Sequence, residues 1–172
     1  MRLFVAINFG EGTRGRLVAL SRDLRSLCRD GNFVPLENLH LTLAFLGECS
    51  GECVSAALAA VSNVAFEPFN VQVESVGRFK RDGGDVWWAG VRECAPLVDL
   101  QRDLTNALVA KGFALEERRF KPHITLARKV PAGPRAWPVE PFGETVHRID
   151  LMESKHVGGL LVYAVVCEMP LS

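Results

Sequence analysis

Two short strings carry the chemistry of this chain: His40-Leu41-Thr42 and His123-Ile124-Thr125. Each places a histidine and a threonine two residues apart with an apolar residue between them and another just after. On an extended strand, alternate side chains share a face. His40 and Thr42 therefore share one face of a strand, with Ala44 next in line, and Leu39, Leu41 and Leu43 the other. In the second string His123, Thr125 and Ala127 oppose Ile124 and Leu126. A His-apolar-Thr-apolar string is expected by chance roughly 0.03 times in a chain of this composition, so two copies carry meaning that one would not. Imidazole titrates near neutrality, so one ring can start neutral and take a proton while the other starts protonated and gives one. Two such rings with hydroxyls beside them suit attack on a phosphodiester, whose non-bridging oxygens also need a positive neighbour. Two histidines make a thin metal site, since a catalytic zinc usually has three protein ligands. No metal and no cofactor is expected.

The strings stand 83 residues apart in a chain of 172, close to half its length. That spacing suggests two similar lobes related by a pseudo-twofold, within one domain over residues 1–172, each lobe supplying one motif. The pattern around them mixes strands and helices without a strict alternation. Leu3–Phe9 reads as a strand, and Arg14–Arg29 as a helix with Leu17, Leu20, Leu24 and Leu27 on one side. Phe33–Pro35 is extended, Leu39–Leu46 is a strand, and Cys53–Val64 is an alanine-rich helix. Phe69–Phe79 and Val86–Val91 form a hairpin around Asp82-Gly83-Gly84-Asp85. Pro96–Lys111 is a helix stopped by Gly112. Arg119–Arg128 is extended, Lys129–Pro141 is a proline-rich loop, and Arg148–Ser154 and Leu160–Met169 close the chain around Gly158-Gly159. The fold class is α+β with antiparallel sheets.

Composition narrows the partners. Twenty basic residues balance twenty acidic ones, so the chain lacks the basic surplus of a duplex binder and any nucleic-acid contact should be local. Five cysteines with no Cys-x-x-Cys pair read as reduced thiols of a cytoplasmic protein. The opening apolar run is too short for a secretory signal, and no stretch approaches a membrane span. His147 and His156 lack the motif and are assigned to the surface.

Around these residues the sequence resembles the two-histidine (2H) phosphoesterase superfamily, in particular the bacterial and archaeal RNA 2′,3′-cyclic phosphodiesterases, also called 2′-5′ RNA ligases. The resemblance runs through Arg2–Ile7, Glu37–Glu48, Phe120–Arg128, and the ending Leu151–Ser154 with Gly158–Tyr163. It implies a bilobal fold in which two antiparallel sheets form a V-shaped cleft with helices outside. It also implies metal-free hydrolysis of a 2′,3′-cyclic phosphate, on an RNA end or a nucleoside, to a 2′-phosphate, with reversible 2′-5′ ligation as a second activity. Under it, His40 and His123 are the acid/base pair, with His40 placed as acid and His123 as base in hydrolysis. Thr42 and Thr125 contact the phosphate, Arg128 assists, and Lys121 is a candidate for distal phosphates. Strict alternation would put Arg128 on the Ile124 face, and a bulge or a strand end would redirect it. Phe45, Trp88 and Phe120 are candidates to stack a base, the alternative for each being a place in the core. Other readings of the same cleft are a 2′-5′ oligonucleotide phosphodiesterase, a non-catalytic RNA-end binder and a metal-dependent hydrolase. A monomer is expected, since one chain supplies both motifs.

Overall fold

A computed structural model describes residues 1–170. The order of elements is β1 (Arg2–Ile7), α1 (Glu11–Leu27), β2 (Asn32–Phe33), a 3-10 turn (Leu36–Asn38), β3 (Leu41–Glu48), α2 (Gly51–Ser62), β4 (Phe69–Phe79) and β5 (Asp85–Val91). Then come α3 (Ala95–Ala110), β6 (His123–Val130), β7 (Trp137–Val146), β8 (Arg148–Val157) and β9 (Leu160–Pro170).

The helices form where leucines recur every three or four residues. Leu17, Leu20 and Leu24 of α1 and Leu97, Leu100, Leu104 and Leu108 of α3 are buried, as the periodicity predicts. Burying a leucine stripe of this kind contributes about 1.5–3 kcal/mol per side chain. Pro96 sits in the first turn of α3, where its missing N–H costs nothing. Gly112 closes that helix at φ +92°: its N–H bonds Val109 O, and the Phe113 N–H bonds Leu108 O. This Schellman arrangement needs a residue that tolerates a positive φ.

The strands pair antiparallel throughout, in the order β7-β4-β5-β6-β3-β1-β8-β9, with β2 beside β6. The two halves of this array, β7-β4-β5-β6 and β3-β1-β8-β9, touch through a single register pair, Leu41 with Ile124. These two residues are 83 apart, the same offset as the motifs. An antiparallel pairing of equivalent residues is what a local twofold axis between them produces, and β1-α1-β3 and β5-α3-β6 are its two copies. The hydrophobic core lies mainly on the helix side, and a small second cluster of Phe4, Ala6 and Met152 with Tyr163 lies on the other face of the β1 half.

One expectation needs correction. Trp137–Val146 is a strand, although Lys129–Pro141 reads as a loop from its prolines. β7 is the outermost strand of its half, and an edge strand tolerates Pro138 and Pro141 because one row of its N–H groups has no ladder partner. Among the described residues, no helix is long and apolar enough to cross a membrane. All five cysteines are free thiols.

Candidate active site

β3 and β6 meet at the seam and deliver the two motifs to one cavity of about 600 Å³. His40, Thr42, His123, Thr125 and Arg128 all line it. Strict alternation is not how they get there. Along β3 the pairing with β1 slips between Val5/Ala44 and Ala6/Thr42, leaving Leu43 as the extra residue of a bulge. Leu41, Leu43 and Ala44 all enter the core, and the cleft face becomes His40, Thr42 and Phe45. Along β6 the pairing with β5 slips between Trp87/Ala127 and Trp88/Thr125, so Leu126 is bulged. Ile124, Leu126 and Ala127 enter the core, and the cleft face becomes His123, Thr125 and Arg128. The two bulges occupy equivalent positions. They correct the alternating expectation for Ala44 and Ala127, and they turn Arg128 into the cleft. Phe45, whose alternative was the core, stands 49% exposed on the cleft wall.

Each histidine is held the same way. His40 Nδ1 lies 2.7 Å from Asn38 O, and His123 Nδ1 lies 2.6 Å from Lys121 O, both two residues upstream. A carbonyl only accepts, so Nδ1 carries the proton and Nε2 is left as the exchanging atom of each neutral ring. His40 Nε2 is 2.9 Å from Thr42 Oγ1. Aromatic collars fix the ring planes. Phe4 and Tyr163 pack on His40 at centroid distances of 4.9 and 5.2 Å, and Phe79 and Trp88 on His123 at 5.1 and 6.4 Å.

The electrostatics differ from the expectation of one neutral and one charged ring. Burial pushes both imidazoles below their ordinary value, the carbonyl hydrogen bonds oppose this, and the Arg128 charge pushes both down further. His40 is also lowered by His123, and His123 by Lys121. Both rings therefore favour the neutral form at pH 7 until an anion arrives.

Lys121 is exposed and does not line the cavity; its Nζ lies over Trp88 at 4.6 Å and Phe79 at 5.3 Å. Phe120 is half-buried against the core. Trp88 is 8% exposed and belongs to the collar of His123. His147 is exposed as expected, while His156, also exposed, borders the cavity. Sequence reasoning missed Asn38, which is buried and uses its side chain to tie the turn before His40 to β9. Its Nδ2 donates to Leu161 O at 2.9 Å, and its Oδ1 accepts from the Tyr163 N–H at 3.3 Å. Its position two residues before the histidine was the available signal. Among the described residues, no three His, Cys, Asp or Glu side chains converge as a metal site would require.

Trp88 has room because of glycine. A Cβ on Gly77 would run into its indole ring, coming within 2.8 Å of Cζ2 and Cζ3. Gly77→Ala is expected to cost about 1–3 kcal/mol by overpacking and to loosen the collar of His123. Thermal unfolding and turnover measured together should both fall; an unchanged melting temperature would contradict the packing.

The sequence profile of the 2′-5′ RNA ligase superfamily matches residues 14–157. An RNA 2′,3′-cyclic phosphodiesterase of Archaeoglobus fulgidus is 34% identical over 151 residues, which cover 84% of this chain and 85% of the relative. The enzyme of that name from Escherichia coli is 33% identical over 128 residues, covering 74% and 71%. One relative, from Geobacillus stearothermophilus, is longer, and the match spans 49% of it. A crystal structure of a Thermus thermophilus protein superposes with a TM-score of 0.84 at 33% identity, covering 99% of this chain and 98% of that one. E. coli LigT complexed with 3′-AMP superposes with a TM-score of 0.86 at 27% identity, covering 99% and 98%. With the motifs, the paired bulges and the two-half sheet in place, these matches establish that the chain belongs to the 2′-5′ RNA ligase superfamily.

Proposed function

We propose that this chain is an RNA 2′,3′-cyclic phosphodiesterase that opens a cyclic phosphate by two-histidine acid/base catalysis. The observation that carries the reading is the equivalence of the two motifs: two imidazoles, each with Nδ1 tied to a carbonyl, border one cavity with two threonines and one arginine. A neutral Nε2 takes a proton from water as its oxygen attacks phosphorus. The second imidazole, protonated, gives its proton to the departing 3′-oxygen as the P–O3′ bond breaks. The products are a 2′-phosphate and a free 3′-hydroxyl. We assign His123 as base and His40 as acid in this direction. Thr42, Thr125 and Arg128 hold the non-bridging oxygens. Phe45 offers a ring to a base, and Lys121 serves only substrates long enough to pass the rim. The ligase direction uses the same groups, with a ribose 5′-hydroxyl attacking in place of water and the 3′-oxygen leaving; in the reverse direction the 3′-hydroxyl attacks and the 5′-oxygen leaves. The site closes within one chain, which is consistent with a monomer.

Phosphorus NMR after incubation with a nucleoside 2′,3′-cyclic phosphate in EDTA tests the chemistry. Conversion to the 2′-phosphate alone supports the reading, and loss of turnover on chelation refutes it.

The pH dependence follows from the lowered imidazoles. In the free enzyme both pKa values lie below the ordinary 6.5. The form with one ring protonated then peaks below that pH, so kcat/KM should be bell-shaped with its maximum on the acid side of about 6.5. A bound phosphate anion favours the imidazolium, so the alkaline limb of kcat should lie at higher pH than that of kcat/KM. A kcat/KM maximum above pH 7.5, or a flat profile, would contradict this scheme.

A further inference from the structure

The cavity is lopsided. The β6 half supplies His123, Thr125 and Arg128, whereas the floor beyond the histidines belongs to β3, β1 and β8 of the other half. Arg2 stands on that floor. Ala6 pairs with Thr42, and Arg2 is four residues further along β1, about 13 Å of strand beyond Thr42 at 3.3 Å per residue. Its guanidinium lies over the Phe45 ring, 5.1 Å from the centroid. Stacking on an aromatic face fixes the plane of the guanidinium and leaves its N–H edge free to donate. Among the described residues, no carboxylate lies within ion-pair distance of it, although Glu48 is its cross-strand neighbour. Ser154 is its register partner on β8, and His156 follows on the same face at the cavity edge. A fixed guanidinium without a carboxylate, flanked by a hydroxyl and an imidazole, is the donor set for a second phosphate.

We propose that Arg2, with Ser154 and His156 beside it, binds the internucleotide phosphate of an RNA strand whose cyclic end lies between the two histidines. The site adds a contact that an oligonucleotide makes and a cyclic mononucleotide does not. A cyclic mononucleotide places its phosphate at the histidine row and brings no second phosphate to Arg2. An oligonucleotide continues along the β3-β1-β8 floor and engages it. This rests on the phosphodiesterase reading for its activity assay but has a binding readout of its own.

The test compares a cyclic mononucleotide with a short oligoribonucleotide ending in a 2′,3′-cyclic phosphate. Arg2→Gln should lower the oligonucleotide-to-mononucleotide ratio of kcat/KM about tenfold. It should also make the salt dependence of oligonucleotide binding shallower, by about 0.7 in log K against log salt, the loss of one single-strand phosphate contact. Arg2→Lys keeps the charge and should restore the salt slope. A ratio and a slope both left at wild-type values would overturn the proposal, and so would equal losses on both substrates with no change in slope. If wild type turned over neither substrate, the phosphodiesterase reading would fail. Fluorescence anisotropy with a labelled oligonucleotide would still decide on Arg2 through the slope.

Discussion

His40→Ala and His123→Ala should each lower kcat on a 2′,3′-cyclic phosphate by about 10²–10⁴-fold, the range a positioned acid or base supplies. The fold should survive both changes, because each ring stands on the cleft side of its strand and neither belongs to the main core. The two variants should nevertheless differ in stability. His40 is enclosed by Phe4 and Tyr163 and hydrogen-bonded at both nitrogens, whereas His123 is bonded at Nδ1 and has Lys121 on the solvent side of its collar. His40→Ala opens a gap between two packed rings and should lower the melting temperature more. The double variant should lose far less than the product of the single losses, since the two rings serve one proton circuit. Steady-state rates and thermal melts on the three proteins decide this. A single variant that keeps more than a tenth of wild-type activity would remove its histidine from the mechanism.

The sequence made the site legible because the motif residues are polar positions in otherwise apolar strands, a contrast that survives without coordinates. The 83-residue offset between the motifs recurs in the structure as the register pair that joins the two halves, Leu41 with Ile124, one residue after each histidine. What alternation could not show was the pair of bulges. A bulge depends on how a strand fits its neighbour, β1 for β3 and β5 for β6, and the strand's own residues do not state it. Alternation alone therefore misplaces Ala44 and Ala127 and leaves Phe45 a candidate for either side. β7 is hidden from the sequence for a related reason. Prolines argue against a strand only where every N–H is needed, and edge position is a property of the whole sheet. The role of Asn38 is not legible in the sequence because its partners, Leu161 and Tyr163, lie more than 120 residues away.

Arg128→Ala should reduce kcat/KM by about 10²–10³-fold and move the pH profile at the same time. The reduction follows from position: Arg128 is the cation that the β6 bulge turns towards both histidines, and its charge reaches both rings. The direction of the shift follows from sign. A nearby positive charge disfavours imidazolium, so removing it raises the pKa of both histidines and carries the kcat/KM optimum to higher pH. The two effects have different causes and separate in Arg128→Lys. Lysine keeps the charge, so the optimum should stay near that of wild type. It loses the planar fork that grips two oxygens at once, so part of the rate should still be lost. A phosphate-holding role predicts a rate loss in both variants and a pH shift in one. A rim charge with no part in the site would leave the rate of both variants intact. Full pH–rate profiles of the two variants distinguish these outcomes, and a downward shift in Arg128→Ala would contradict the electrostatic placement itself.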